Sequence, residues 1–144
     1  MKLTAAERKA KRAYKKMHKQ HKKELKKLVK IDAEWDWGFL HDLVITKVRH
    51  MHEYYKAGNN VWQVDESRLQ IVDELKHVLD LDYELDHLFD DLPAPTAIFN
   101  DDGTMTLSST PERSAAWDKA YEREDEIYKE IYTYIGEHLR GWWD

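Results

Sequence analysis

Residues 34–57 read EWDWGFLHDLVITKVRHMHEYYKA, and this stretch decides the fold class. Its apolar side chains recur at steps of three and four residues, which is the spacing of one face of an α-helix. The residues that carry this pattern are Phe39, Leu40, Leu43, Val44, Val48, Met51, Tyr54 and Tyr55. The stretch therefore predicts a core helix, and Gly58, Asn59 and Asn60 supply residues that commonly end one.

Two further core helices are predicted on the C-terminal side of this stretch. Asp65 is suited to cap a helix whose apolar residues continue until Pro93 ends the pattern. Thr110 and Pro111 form a second helix start, with a capping hydroxyl followed by proline at the first helical position. The helix that follows is predicted to run to about residue 141.

The segment between those two helices has the signals of a β-hairpin. Residues 96–108 read TAIFNDDGTMTLS, and the pair Asp102 and Gly103 is a common hairpin turn between alternating apolar and threonine residues. A lone two-stranded ribbon is marginally stable, so a disordered loop is the alternative.

The N-terminal residues 4–30 contain no helix breaker and are rich in Ala, Lys, Leu and Glu. Thr4 and Glu7 have the spacing of a capping box, which predicts the start of a helix. Its apolar stripe is thin and consists of Tyr14, His18, His21, Leu25 and Leu28. The sequence thus predicts an all-α fold of about four helices in a small bundle.

Charge divides the chain into two predicted parts. Residues 1–30 hold 13 basic and 2 acidic residues, a net charge of +11, whereas residues 31–144 hold 10 basic and 26 acidic residues, a net charge of −16. We predict a basic helical arm at residues 1–30 and an acidic helical bundle at residues 31–144.

Composition narrows the class of protein. The chain of 144 residues has no cysteine, which excludes disulfides and thiolate-bound zinc. It has no run of about 18 apolar residues and no apolar segment behind its N-terminal charges, so neither a membrane span nor a signal peptide is expected. With 5 glycines, 3 prolines and 35% charged residues, an all-β fold is disfavoured. We expect a cytoplasmic protein.

The basic arm is the strongest functional signal in the sequence. Its cations can neutralise phosphates and so bind nucleic acid without reading its sequence. The candidate binding residues are Lys9, Lys11, Arg12, Lys15, Lys16, Lys19, Lys22, Lys23, Lys26 and Lys27. Tyr14 is the one aromatic residue among them, so base stacking is not indicated. The alternative is that the arm docks on acidic helices of the same chain.

The acidic part offers a second candidate surface. A carboxylate-rich surface can occupy basic sites that otherwise hold nucleic acid, and it can also serve only to keep a bundle in solution. The candidate partner-binding residues are Asp80, Asp82, Glu84, Asp86, Asp90 and Asp91.

Metal chemistry is the main enzymatic alternative. The pairs Glu74/His77 and Glu84/His87 have the Glu-x-x-His spacing of di-iron bundles, where the two copies lie on facing helices. Here both pairs fall on one predicted helix, separated by roughly 15 Å along its axis, so one shared cluster is disfavoured. No cysteine and no Gly-x-Ser-x-Gly motif supports nucleophilic catalysis. We expect no cofactor, no metal and no enzymatic activity.

A group of aromatic and basic residues forms a recognisable outline along the chain: Trp35, Trp37, Lys47, Arg49, Met51, Tyr54, Tyr55, Trp142, Trp143 and Asp144. With this outline the chain resembles small helical bacteriophage proteins of unassigned function. The resemblance covers about residues 33–144 and omits the basic arm. It implies a short accessory protein that acts in the cytoplasm of an infected bacterium.

Three functions are weighed on these grounds. The first is a non-enzymatic phage-type protein that binds and inhibits a host or defence complex containing nucleic acid, for example as an anti-CRISPR protein. In that reading the basic arm contacts RNA or DNA, and no membrane is involved. The alternatives are a metal-dependent phosphohydrolase and a nucleic-acid-binding virion or replication accessory protein.

Overall fold

The structure, a computed structural model, describes residues 4–30, 37–58 and 65–142. Within these residues the chain forms four α-helices, one two-stranded sheet and one short 3-10 helix. The helices are α1 (Ala5–Lys30), α2 (Trp37–Lys56), α3 (Asp65–His87) and α4 (Pro111–His138), and the 3-10 helix is Leu139–Trp142. The predicted all-α class with about four helices is confirmed.

Predicted caps start two of the helices. At α1, the backbone N–H of Glu7 donates to Thr4 Oγ1 at 3.2 Å, and the backbone N–H of Thr4 donates to Glu7 Oε2 at 2.6 Å. These two reciprocal bonds form the capping box. At α4, the backbone N–H of Arg113 donates to Thr110 Oγ1 at 3.2 Å, and Pro111 is the first helical residue. Short-range side-chain chemistry therefore sets both helix starts.

The hairpin is present. Strands β1 (Thr96–Phe99) and β2 (Met105–Ser108) pair antiparallel. Gly103 in the connecting turn has a φ of 81°, a conformation that glycine adopts without steric cost. The disordered-loop alternative is therefore wrong.

Helix α2 ends as predicted at Gly58, whose φ is 66°. The other predicted stop residues, Asn59 and Asn60, lie outside the described residues, as do Trp35, Trp143 and Asp144 of the resemblance. The predicted division at residue 30 borders on residues 31–36, which also lie outside them, and it stays a prediction. Helix α3 begins at Asp65, but the predicted capping role of its side chain is outside what the structure describes.

The chain groups into two compact units, and each has buried apolar residues. The first unit contains the described residues up to Leu79 together with those from His138 onward, and the second unit spans Asp80–Glu137. The buried apolar residues of the first unit are Val48, Tyr55, Ile71, Leu75, Val78 and Trp142. Those of the second unit are Leu81, Leu85, Ala120, Ile127 and Ile131. Helix α3 thus contributes residues to both units, with the larger part in the first.

Trp142 anchors the C-terminal residues in the first unit. Its side chain is 1% exposed, and its indole N–H donates to Glu74 Oε2 at 2.8 Å. The Tyr55 hydroxyl donates to the backbone carbonyl of Trp142. The 3-10 helix is thereby tied to both α2 and α3, and this terminal tryptophan is a core residue.

An aromatic cluster organises the second unit. Phe89 lies 5.7 Å from the Trp117 ring and 5.2 Å from the Tyr121 ring, measured between ring centroids. The Trp117 indole N–H donates to the carbonyl of Pro93 at 3.0 Å. These contacts join the end of α3 to the start of α4.

Candidate functional site

Helix α1 packs against α2 along one side, which we call the docking side. The residues of α1 that are less than fully exposed define it, and they follow one another at helical spacing. They are Met17, His21, Glu24, Leu25 and Leu28. The sequence had placed Tyr14 and His18 on this stripe, but both are exposed and lie along its edge.

A stacked histidine pair lies at the centre of the contact between α1 and α2. The rings of His21 and His50 are 3.8 Å apart between centroids and nearly parallel, with an interplanar angle of 6°. His21 is 9% exposed and His50 is 3% exposed. A buried imidazole needs a hydrogen-bond partner, and both rings have one on the opposite helix.

Those partners are two carboxylates in a crossed arrangement. The Nε2–H of His21 donates to Glu53 Oε2 at 2.7 Å, and the Nε2–H of His50 donates to Glu24 Oε2 at 2.8 Å. Arg49 joins the two carboxylates, with Nη2 at 2.9 Å from Glu24 and Nη1 at 3.3 Å from Glu53. The two helices are therefore connected by charge-assisted hydrogen bonds as well as apolar contacts.

The network shifts the pKa values of two of its members. Hydrogen bonds from His50 and Arg49 lower the pKa of Glu24 to about 2. Burial lowers the pKa of His50 below its ordinary value, although its hydrogen bond to Glu24 opposes that shift. At neutral pH the carboxylate is therefore ionised and the His50 imidazole is neutral.

The ten predicted basic residues remain on the surface after α1 has docked. Every one of them is exposed. None of them is a residue of the docking side, although Lys22 lies next to it and also lines a cavity between α1 and α2. We call these ten residues the basic face. Helix α1 thus docks on its own chain, but it does so through residues other than its lysines.

A cavity opens beside the stacked histidines, between α1 and α2. Its volume is about 310 Å³. Aromatic, methionine, histidine and lysine side chains form most of its wall. The lining residues are Tyr14, Met17, His18, His21, Lys22, Leu25, Lys47, His50, Met51, Tyr54, Tyr55 and Trp142. None of these residues carries a carboxylate, which distinguishes the cavity from the rest of an acidic protein.

Aromatic rings meet at the mouth of this cavity. Tyr14 stacks on His18 with centroids 5.7 Å apart, and it meets Tyr54 edge-on at 5.9 Å. Burial raises the pKa of Tyr54 above its ordinary value, so its hydroxyl is protonated at neutral pH. Sequence reasoning placed Tyr14 on the thin apolar stripe of α1 but did not identify Tyr54 on α2 as its partner. The Tyr54-Tyr55 pair was the available signal.

The predicted acidic residues all belong to the second unit. Asp80, Asp82, Glu84 and Asp86 lie on α3, and Asp90 and Asp91 follow its end. All are exposed except Asp82, which is half-buried.

Glu84 already has a partner within the chain. Its Oε1 and Oε2 accept from Arg123 Nε at 2.7 Å and Nη2 at 3.0 Å, which lowers the pKa of Glu84. One of the six predicted acidic residues is therefore engaged by an arginine of its own unit.

The residues of the metal alternative also have other partners. Glu74 accepts from the indole of Trp142 and, at 2.9 Å, from the side-chain amide of Gln70. The Nδ1–H of His87 donates to the carbonyl of Tyr83 at 2.8 Å. Within the described part of the chain, no group of three or more His, Asp or Glu residues is arranged to hold a metal ion.

Comparison with protein-family models, curated proteins and solved structures found no match. The features that point to a function are therefore those of this chain's own residues. Among the described residues, no helix is long and apolar enough to cross a membrane. The basic face and the adjacent cavity are the two features that combine exposure, charge and shape.

Proposed function

We propose that this protein is a non-enzymatic interaction protein that binds a complex containing nucleic acid, with the basic face of α1 against the phosphate backbone. One observation carries the proposal: α1 docks through its histidine- and glutamate-bearing side and leaves all ten basic residues exposed. A helix whose lysines served only internal docking would turn them toward acidic side chains. Here Arg49 and two histidines pair with the carboxylates at the contact instead.

The expected binding is electrostatic and independent of base sequence. Each phosphate contact made by a lysine or arginine releases condensed counterions, so affinity falls steeply as salt rises. A face with ten cations along one helix of 26 residues can contact several phosphates at once. Helix α1 spans about 39 Å at 1.5 Å per residue, which is about one turn of a nucleic-acid duplex.

We further propose that the complex is a host or defence nucleoprotein, for example a CRISPR effector, and that the protein inhibits it during phage infection. The support is the resemblance to phage proteins together with the exposed carboxylates Asp86, Asp90 and Asp91, which offer a surface for a basic partner. Surfaces of opposite charge speed encounter and select the partner.

Charge-matched variants test the nucleic-acid contact. In the first variant Lys15, Lys19 and Lys23 on the basic face are changed to glutamine. In the control, three exposed lysines elsewhere, Lys56, Lys119 and Lys129, are changed to glutamine. Both variants lose the same net charge, so any difference between them reports position.

The measurement is fluorescence anisotropy with a labelled oligonucleotide across a salt series. The plot of log affinity against log salt should become less steep by about 2 to 3 for the first variant, at about 0.7 to 0.9 per lost contact. The control should keep the slope of the unmodified protein. If the slope of log affinity against log salt were the same in all three proteins, the basic face would not be the surface that binds nucleic acid.

Affinity capture from bacterial lysate, with and without nuclease, tests the proposal that the protein inhibits a host or defence nucleoprotein. Retention of one defined protein complex after nuclease treatment supports inhibition of a nucleoprotein. Retention of bulk nucleic acid alone, lost on nuclease treatment, instead indicates the virion or replication accessory role.

A further inference from the structure

The cavity between α1 and α2 has a lining suited to a flat, uncharged ring. Tyr14, which is 39% exposed, and the half-buried Tyr54 supply aromatic surface. Trp142 and the stacked imidazoles of His21 and His50 also line the cavity, but they are buried and present only a small part of their rings. The Nε2 atoms of both histidines are held by Glu53 and Glu24, so these rings are fixed in position.

The volume of the cavity limits the size of its ligand. At about 310 Å³ it lies at the small end of ligand pockets, which span about 300 to 1,000 Å³. A purine or pyrimidine base fits within that volume, whereas a folded peptide segment does not. The protonated Tyr54 hydroxyl on the wall can donate a hydrogen bond to a base carbonyl.

The cavity shares one edge of α1 with the basic face. Tyr14, His18 and Lys22 follow one another at four-residue steps along this edge, and Lys22 belongs both to the cavity wall and to the basic face. Lys11 and Lys15 lie three residues before Tyr14 and His18, on the adjoining surface of the helix. A strand that follows the lysines therefore passes the mouth of the cavity.

We propose that the cavity receives one unstacked base of a single-stranded nucleic acid whose phosphates lie along the basic face of α1. This inference rests on the proposed function and specifies its partner. A neutral base costs much less free energy to remove from water than a charged phosphate, and the phosphates stay in water beside the lysines. Aromatic stacking of this kind tolerates any base, because every base has a π-face.

The inference predicts a preference for single strands. A base in a duplex must first lose its pairing and stacking before it can enter the cavity, which costs a few kcal/mol. A single strand avoids most of this cost. The basic face alone gives no such preference, since it contacts phosphates in either form.

The test compares the affinity of the protein for a single strand and for a duplex. The single strand is a 15-nucleotide oligothymidine with one central 2-aminopurine, and the duplex is a hairpin whose paired stem offers a binding site of equal length. Tyr14→Ala removes the ring at the cavity mouth, where Tyr14 is 39% exposed, so the fold should be retained. Met51→Trp replaces a methionine of the cavity wall with a larger side chain that fills the cavity. Tyr83→Ala, at a tyrosine that is 66% exposed in the second unit, is the matched control.

Affinity should fall about 5- to 150-fold for the single strand with Tyr14→Ala and with Met51→Trp, and it should stay unchanged for the duplex and for the control. The fluorescence change of 2-aminopurine on binding should disappear in the same two variants. That signal reports the position of the base and would not respond to a loss of lysine contacts.

Other outcomes separate this inference from the proposed function. Equal affinity for single strand and duplex, with no effect of either cavity variant, would overturn the base-binding role and leave the basic face intact. Failure of the unmodified protein to bind either nucleic acid would overturn both. Circular dichroism of each variant confirms that α1 remains helical.

Discussion

Replacing Trp142 by alanine should strongly destabilise the protein. The side chain is 1% exposed and so buries nearly all of its surface, about 200 Å² for a tryptophan. At about 25 cal/mol per Å², that burial contributes about 5 kcal/mol, or about 3 to 4 kcal/mol once the partial compactness of the unfolded chain is included. Loss of the hydrogen bond to Glu74 adds about 1 kcal/mol. The expected loss of unfolding free energy is therefore about 4 to 5 kcal/mol.

Urea denaturation followed by circular dichroism at 222 nm measures this loss without depending on tryptophan fluorescence. Trp37→Ala is the matched control, because Trp37 is 65% exposed and the same calculation gives about 1 to 1.5 kcal/mol for its buried third. A loss for Trp142→Ala no greater than that of the control would refute the assignment of Trp142 to the core.

Two further predictions concern pH and glycine. The folded state holds the pKa of His50 below 6.5 and that of Glu24 at about 2, so the unfolded chain binds more protons and stability should fall as pH is lowered. The contribution of His50 to stability is present above about pH 6.5 and is lost below it. Urea midpoints should therefore fall from pH 7.5 to pH 5, and they should fall less in His50→Phe. The same pH dependence of the midpoint in both proteins would contradict this. Gly136→Ala, where an added Cβ meets nothing within 4 Å inside α4, should raise unfolding free energy by about 0.5 to 1 kcal/mol. Gly103→Ala, at a φ of 81°, should lower it by about 1 kcal/mol, and thermal denaturation of the pair should show opposite signs.

The helices were predictable because their signals are local. The apolar spacing of α2 and the caps at Thr4 and Thr110 depend on residues at most four apart, and the structure reproduces them within the residues it describes. The hairpin was harder to predict, because the local turn residues favoured it while the low stability of a lone two-stranded ribbon counted against it. The Asp102 carboxylate supports the turn by accepting from the Thr104 backbone N–H at 2.9 Å.

The candidate site was only half predictable. The basic face depends on the composition of α1 and on helical spacing within it, and both can be read from the sequence. The cavity depends on α2 and on Trp142, which is bound to Tyr55 across 87 positions of the chain. No spacing rule joins residues so far apart, because their proximity follows from tertiary packing.

The docking side of α1 explains why the basic face and the cavity keep a fixed position relative to each other. A purely apolar stripe would allow α1 to rotate or slide on α2, since apolar contacts have little directionality. One residue of slip rotates the helix by about 100° and would carry Tyr14 away from the cavity. The crossed pairs His21–Glu53 and Glu24–His50 exist in only one register, and breaking either leaves a buried imidazole without its partner. We infer that this polar contact is retained for register, because register places the lysines beside the cavity.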